Sequence, residues 1–118
     1  MDKTDNKKVR TYVFNKTKGH CSYCGCKITI DKFTIDHIEP RRRYPTNLKI
    51  GENKIDNYLP CCGSCNSSKS TLSVDEFRNS ITKKIDSIRN NSSQFRILER
   101  FGKIKIEPGD IVFYFETI

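Results

Sequence analysis

CSYC at residues 21–24 and PCCGSCNSSK at residues 60–69 hold two C-x-x-C pairs, Cys21/Cys24 and Cys62/Cys65. Two thiolates at this spacing can wrap one side of a tetrahedral ion, and two such pairs supply the four soft ligands of a structural Zn²⁺. Gly25 frees the backbone for the tight turn behind the first pair. Residues 25–61 run between the pairs, more chain than the ~15–20 residues of an ordinary zinc ribbon. Something folded must therefore sit between the knuckles. Cys26 and Cys61 are surplus to a single site.

The totals agree with a metal-stapled domain. A chain of 118 residues is expected to form one domain, 1–118, yet only 35 % of it is hydrophobic. So few apolar residues bury little surface against the entropy of ordering the backbone, and a metal staple would supplement the core. The opening MDKTDNKKVR has no apolar h-region, and the longest apolar run is Ile111–Phe115. Neither a signal peptide nor a membrane partner is expected. The expected location is cytoplasmic, of bacterial or phage type, where paired cysteines favour metal over disulfides. The net charge of +8 fits a polyanionic partner, nucleic acid first, against the plainer reading of a basic surface.

Along the chain, residues 1–8 are expected to be a disordered lead-in, and Val9, Tyr12 and Val13 predict a short helix to about Lys18, stopped by Gly19. Residues 19–70 would hold the knuckles and core. Phe33-Thr34-Ile35 predicts a strand entering Asp36-His37, with Pro40 ending regular pairing. Arg41 to Asn53 reads as a loop, and Ile55 to Leu59 as a second strand. Residues 73–118 would be an extension. Ser73 and Glu76 form a capping box for a helix whose stripe is Val74, Phe77, Ile81, Ile85 and Ile88, broken at Asn90–Ser93. Gln94–Phe101 adds a short helix. Lys103–Ile106, a Pro108-Gly109-Asp110 turn and Ile111–Phe115 predict a C-terminal β-hairpin.

Asp36-His37 pairs a hard oxygen ligand for Mg²⁺ with the usual general base near neutral pH. The alternative is a hydrogen-bonded surface pair. Consecutive strand residues point to opposite faces, so both can serve one site only where the strand ends or bends. Asn57 and Asn66 are either turn residues or amides that ligate a hard cation or pin a loop. Asn66 directly follows Cys65, and a rigid knuckle would hold its amide in place. Arg41, Arg42, Arg43 and Lys69 flank the set and are expected to contact backbone phosphates, unless the run is a solubilising loop.

The order C-x-x-C, D-H-I-x-P, D-N-x-x-x-x-C-x-x-C-N-x-x-K, spanning roughly Val9 to Phe77, resembles the HNH endonuclease family. The resemblance implies an α+β fold: a small ββα-metal domain stapled by zinc, here with flanking helices and the hairpin. It implies Asp36 as a ligand of a catalytic Mg²⁺ or Mn²⁺ and His37 as the base that activates water. Asn57 would brace the loop carrying the His, and Asn66 would be the second metal ligand, an H-N-N variant. Ser70 stands where the family commonly has Gly, and the loop after D-H-I-x-P is Arg-rich rather than Gly-rich. The implied activity is endonucleolytic hydrolysis of DNA, with RNA also a candidate substrate, by a monomer or homodimer. The competing reading is a non-catalytic zinc module that binds nucleic acid. Such a module has no need of Asp36, His37 and Asn66 in this order.

Overall fold

In the computed structural model, residues 6–40, 42–43, 48–49 and 51–118 are described, the pairs 42–43 and 48–49 by their backbone. Helix α1 (Lys7–Lys16) starts where the Asn6 side chain accepts from the Lys8 and Val9 amides, so Lys7 and Lys8 are helical rather than part of a disordered lead-in. Residues 1–5 lie outside the described residues. The helix buries Val13, and its Arg10 guanidinium lies 4.1 Å from the centre of the Phe33 ring. Lys16 donates to the carbonyls of Ile55 (2.7 Å) and Tyr58 (2.8 Å), fastening α1 to the chain that leads into the sheet.

The sheet that matters pairs β1 (Thr34–His37) with β4 (Tyr58–Cys61), antiparallel, with His37 opposite Tyr58 and Asp36 opposite Leu59. Between them β2 (Arg42–Arg43) and β3 (Leu48–Lys49) form a separate two-stranded ribbon. Helix α2 (Gly63–Lys69) follows β4 directly and packs on β1, which completes a ββα unit. Helices α3 (Val74–Asn91) and α4 (Ser93–Arg100) follow. The Ser73–Glu76 capping box forms with both reciprocal bonds, at 3.0 and 3.2 Å. The core joins Val13, Phe33, Tyr58 and Leu59 to an aromatic group in which Tyr23 meets Phe77 and Phe113 edge-on. Among the described residues no helix is long and apolar enough to cross a membrane.

Two expectations are corrected. Ile55–Asn57 is a 3₁₀ turn, not strand, and pairing begins only at Tyr58. It then runs through Pro60, whose carbonyl accepts from the Ser22 amide and hydroxyl. The C-terminal hairpin does not form. The amides of Tyr114 and Phe115 instead donate to the carbonyls of Tyr23 (3.1 Å) and Ser22 (2.8 Å), and Tyr114–Glu116 is a 3₁₀ turn. A hairpin partner would have needed those donors. Burying Phe113 against Tyr23 and Phe77 wins because the apolar surface it covers exceeds what an isolated two-stranded ribbon could bury.

Candidate active site and metal centre

The two knuckles meet. The Sγ atoms of Cys21, Cys24, Cys62 and Cys65 all lie within 4.8 Å of one another, with Cys24 and Cys62 4.0 Å apart. Ligands at 2.3 Å in a tetrahedron sit about 3.8 Å from each other, so this cluster is positioned to bind one metal ion and fits zinc. Gly25, at φ +78°, makes the turn that folds the first pair back. Cys62 caps α2, its sulfur accepting from the Cys65 amide at 3.4 Å. Burial raises the Cys62 thiol, but hydrogen bonds from Cys65, Cys21 and Cys24 outweigh it and bring the group down to about 7. That favours the thiolate at Cys62, whereas burial pushes the Cys21 and Cys65 thiols up. Of the surplus cysteines, Cys61 is buried beside the Thr34 hydroxyl, its thiol pushed up to about 12 chiefly by burial. Cys26 is exposed and is not one of the four clustered sulfurs, but its thiol adjoins Cys24 and Cys62, and the hydrogen bond with Cys24, followed by burial, pushes it up to about 12. His20 also stands outside the cluster, its ring against Tyr114.

Asp36, His37 and Asn66 line one cleft of about 320 Å³ together with Ile35, Pro40, Ser70 and Thr71. Alternation along β1 would separate Asp36 from His37. They share the cleft because His37 is the last residue of the strand. Asn66 reaches it from the second turn of α2, one residue beyond Cys65.

Asp36 is buried, 4 % exposed, and its carboxylate is held from two directions. The Tyr23 hydroxyl donates to Oδ2 at 2.5 Å, and the Lys69 ammonium lies 3.2 Å from Oδ2 and 3.4 Å from Oδ1. Burial raises the Asp36 carboxyl above its ordinary range, and the Tyr23 and Lys69 contacts offset this only in part. The same burial, followed by the nearby carboxylate charge, pushes the Tyr23 phenol well up. Tyr23 lies between Cys21 and Cys24, and Lys69 ends the helix that carries Cys65. Each knuckle thus delivers one donor to Asp36.

Lys69 does not face a nucleic acid. Its side chain is fully buried, and its ammonium also donates to the His37 carbonyl at 2.9 Å. A lysine with no exposed surface cannot reach a phosphate, and its charge is spent on Asp36. The side chains of Arg41, Arg42 and Arg43 lie outside the described residues; Arg42–Arg43 contribute the backbone of β2.

His37 is half-buried, its ring edge-on to Tyr58 with centroids 5.1 Å apart. Its Nε2 lies 3.3 Å from Asn53 Oδ1, which also accepts from the Tyr58 hydroxyl. With the Asn53 amide oxygen as the acceptor, this contact requires the imidazole proton on Nε2. Asn57 clasps the loop that leaves the site. Its Oδ1 accepts from the Glu39 amide at 2.9 Å, and its Nδ2 donates to the carbonyls of Glu39 (3.0 Å) and Glu52 (2.9 Å). Gly51 closes the same neck: a Cβ there would stand 1.9 Å from the Glu39 oxygen. Sequence reasoning missed Tyr23 and Asn53 as site residues. Tyr23 reads as packing, Asn53 as one polar loop residue among many, and no local pattern marks either.

Residues 21–72 match the family model described as HNH endonuclease. Over 105 residues the chain is 35 % identical to YoqL, an SPbeta prophage-derived protein of Bacillus subtilis (strain 168) named for that family. The match takes in 87 % of this chain and 42 % of YoqL, so the chain spans less than half of that relative's length. Among solved structures, the Type II-C Cas9 enzyme from Actinomyces naeslundii superimposes with a TM-score of 0.53 at 24 % identity, over 84 % of this chain and 12 % of that one. At this identity the likeness speaks for the fold.

Proposed function

We propose that the chain, whose residues 21–72 match the HNH endonuclease family model, is a metal-dependent endonuclease of that family that hydrolyses phosphodiester bonds in DNA. The observation that carries the reading is the convergence of Asp36, His37 and Asn66 on one cleft. A zinc-binding module with no catalytic task would not need a buried carboxylate, an imidazole and an amide facing one space.

Asp36 and Asn66 are the residues that would hold one Mg²⁺ or Mn²⁺. Their oxygen donors suit a hard cation. Such an ion, when bound, supplies stabilisation of the charge that develops on the phosphate and the leaving oxygen. His37, with its proton on Nε2 toward Asn53, keeps Nδ1 to take a proton from the attacking water. Asn57 keeps the strand end and the loop in register around that imidazole. Cys21, Cys24, Cys62 and Cys65 would hold Zn²⁺ as a structural staple. Arg41, Arg42 and Arg43 are proposed as phosphate contacts from their sequence position beside Pro40, which lines the cleft. One site per chain would nick one strand, so a double-strand break would require a homodimer or two visits.

The test is nicking of supercoiled plasmid with Mg²⁺ or Mn²⁺, in parallel with a labelled RNA. Wild-type protein is expected to nick DNA in an EDTA-sensitive way. His37→Ala should lose that activity while keeping its zinc content and circular dichroism. Binding of DNA by both proteins, with no cleavage of either nucleic acid by any divalent ion, would overturn the nuclease reading in favour of a binding module.

A further inference from the structure

The buried Lys69–Asp36 contact has no place in the hydrolytic steps above. We propose that the Lys69 ammonium is a resident cation of the catalytic centre, balancing Asp36 before a divalent ion arrives and weakening the hold on that ion once bound. The inference rests on the reading of Asp36 as a metal ligand.

Three observations carry it. Lys69 has no exposed surface, so water does little to screen its charge. Its Nζ is within 3.4 Å of both Asp36 oxygens, yet it is also tied to the His37 carbonyl at 2.9 Å. That second tie is to the backbone of β1, not to a proposed ligand atom of the ion. Finally, the two Asp36 oxygens are unequal. Oδ2 takes both the Tyr23 hydroxyl at 2.5 Å and the closer Lys69 contact, whereas among the described residues Oδ1 has the 3.4 Å Lys69 contact alone. Oδ1 is therefore the atom with lone-pair capacity for a ligand in the cleft.

A carboxylate this deep is costly without a counter-charge, and Lys69 supplies one that does not dissociate. The zinc-stapled fold then stands without the divalent ion. The consequence follows from charge alone. An ion about 2.1 Å from Oδ1 would sit roughly 5 Å from Nζ. Even with the screening of bulk water, charges of +2 and +1 at that distance oppose each other by a factor of about ten in affinity.

The experiment measures Mn²⁺ binding to the zinc-loaded chain by electron paramagnetic resonance of the free ion, with no nucleic acid present. Lys69→Met and Lys69→Gln, which remove the charge and respectively drop or keep a polar end, are expected to bind Mn²⁺ about tenfold more tightly than wild type. Mn²⁺ should also raise their melting temperatures more than it raises that of wild type. A residue that merely props the fold would lower affinity or leave it alone. Unchanged or weaker binding in both variants would overturn the proposal. So would variants that stay unfolded at saturating Mn²⁺, since the divalent ion should then replace the ammonium. Asp36→Asn separates the two ideas: if it binds Mn²⁺ as wild type does, the assignment of Asp36 as a ligand fails. If it loses binding while the Lys69 variants gain none, only the resident-cation inference fails.

Discussion

Replacing Asn57 probes how the fold holds His37, the proposed general base. The Asn57 amide makes three bonds across the neck between Glu39 and Glu52: one accepted from the Glu39 amide and two donated, to the carbonyls of Glu39 and Glu52. A protein hydrogen bond contributes about 0.5–1.5 kcal/mol net. Asn57 is half-buried, so water recovers part of what is lost, and Asn57→Ala should cost about 2 kcal/mol. The backbone bond from Ile38 N–H to the Asn57 carbonyl (2.9 Å) and the pairing of His37 with Tyr58 survive the change. The loss should therefore fall on the loop neck and the placement of His37, not on the sheet. If all of it appears as lost productive geometry, nicking slows by roughly 30-fold, at about 1.36 kcal/mol per factor of ten. Asn57→Asp is the sharper variant. It keeps the acceptor for Glu39 N–H but sets a second oxygen against the carbonyls of Glu39 and Glu52, and it should be worse than Ala. Urea unfolding of the zinc-loaded protein and single-turnover plasmid nicking measure the two effects separately. Wild-type nicking by Asn57→Asp would refute the reasoning, because the two donated bonds would then hold nothing.

Removing the proposed structural zinc with a strong chelator should unfold residues 19–72 as seen by circular dichroism and release one equivalent of zinc in a colorimetric assay, and Cys65→Ser should show the same spectrum with its zinc content lost. Zinc binding at about 10–16 kcal/mol matches or exceeds the whole stability of a typical domain, about 5–15 kcal/mol. Phe77→Ala empties the centre of the aromatic group against Tyr23 and Phe113 and should cost about 3–5 kcal/mol in a denaturant melt. Glu116 is held below its usual range by the Arg78 guanidinium, with bonds of 2.7 Å to each oxygen, and then by the Phe113 amide. Its folded value is the lower one, so its contribution is present above the unfolded value of about 4.3 and is lost as pH falls through the folded one. Melting temperature should fall more steeply from pH 5 to 3 in wild type than in Glu116→Gln.

Much of this site is legible along the chain. The C-x-x-C spacing is a local ligand geometry, so the cysteines announce their own cluster, and the D-H and C-N-x-x-K segments reach the cleft attached to it. The capping box at Ser73 and Glu76 is local too, and forms as expected. The hairpin failed for the opposite reason. Alternation at Lys103–Ile106 and Ile111–Phe115 describes what those segments could pair with, but the carbonyls of Ser22 and Tyr23 competed for the same donors. Lys69 shows the same limit. Its charge and nearness to Asn66 suggest a phosphate contact, while the turn of α2 aims it inward at Asp36.

By itself, then, the sequence determined the four-cysteine cluster, because C-x-x-C is a spacing of a few residues, and through its family resemblance it nominated Asp36, His37, Asn57 and Asn66 for the site. Only the tertiary structure decided which groups surround them: Tyr23 and Lys69 on Asp36, Asn53 on His37, and the C-terminal segment on the first knuckle. Those partners lie 13 to 33 residues away along the chain in the case of Asp36. They meet through burial and hydrogen-bond competition across the whole domain, and no local pattern encodes that outcome.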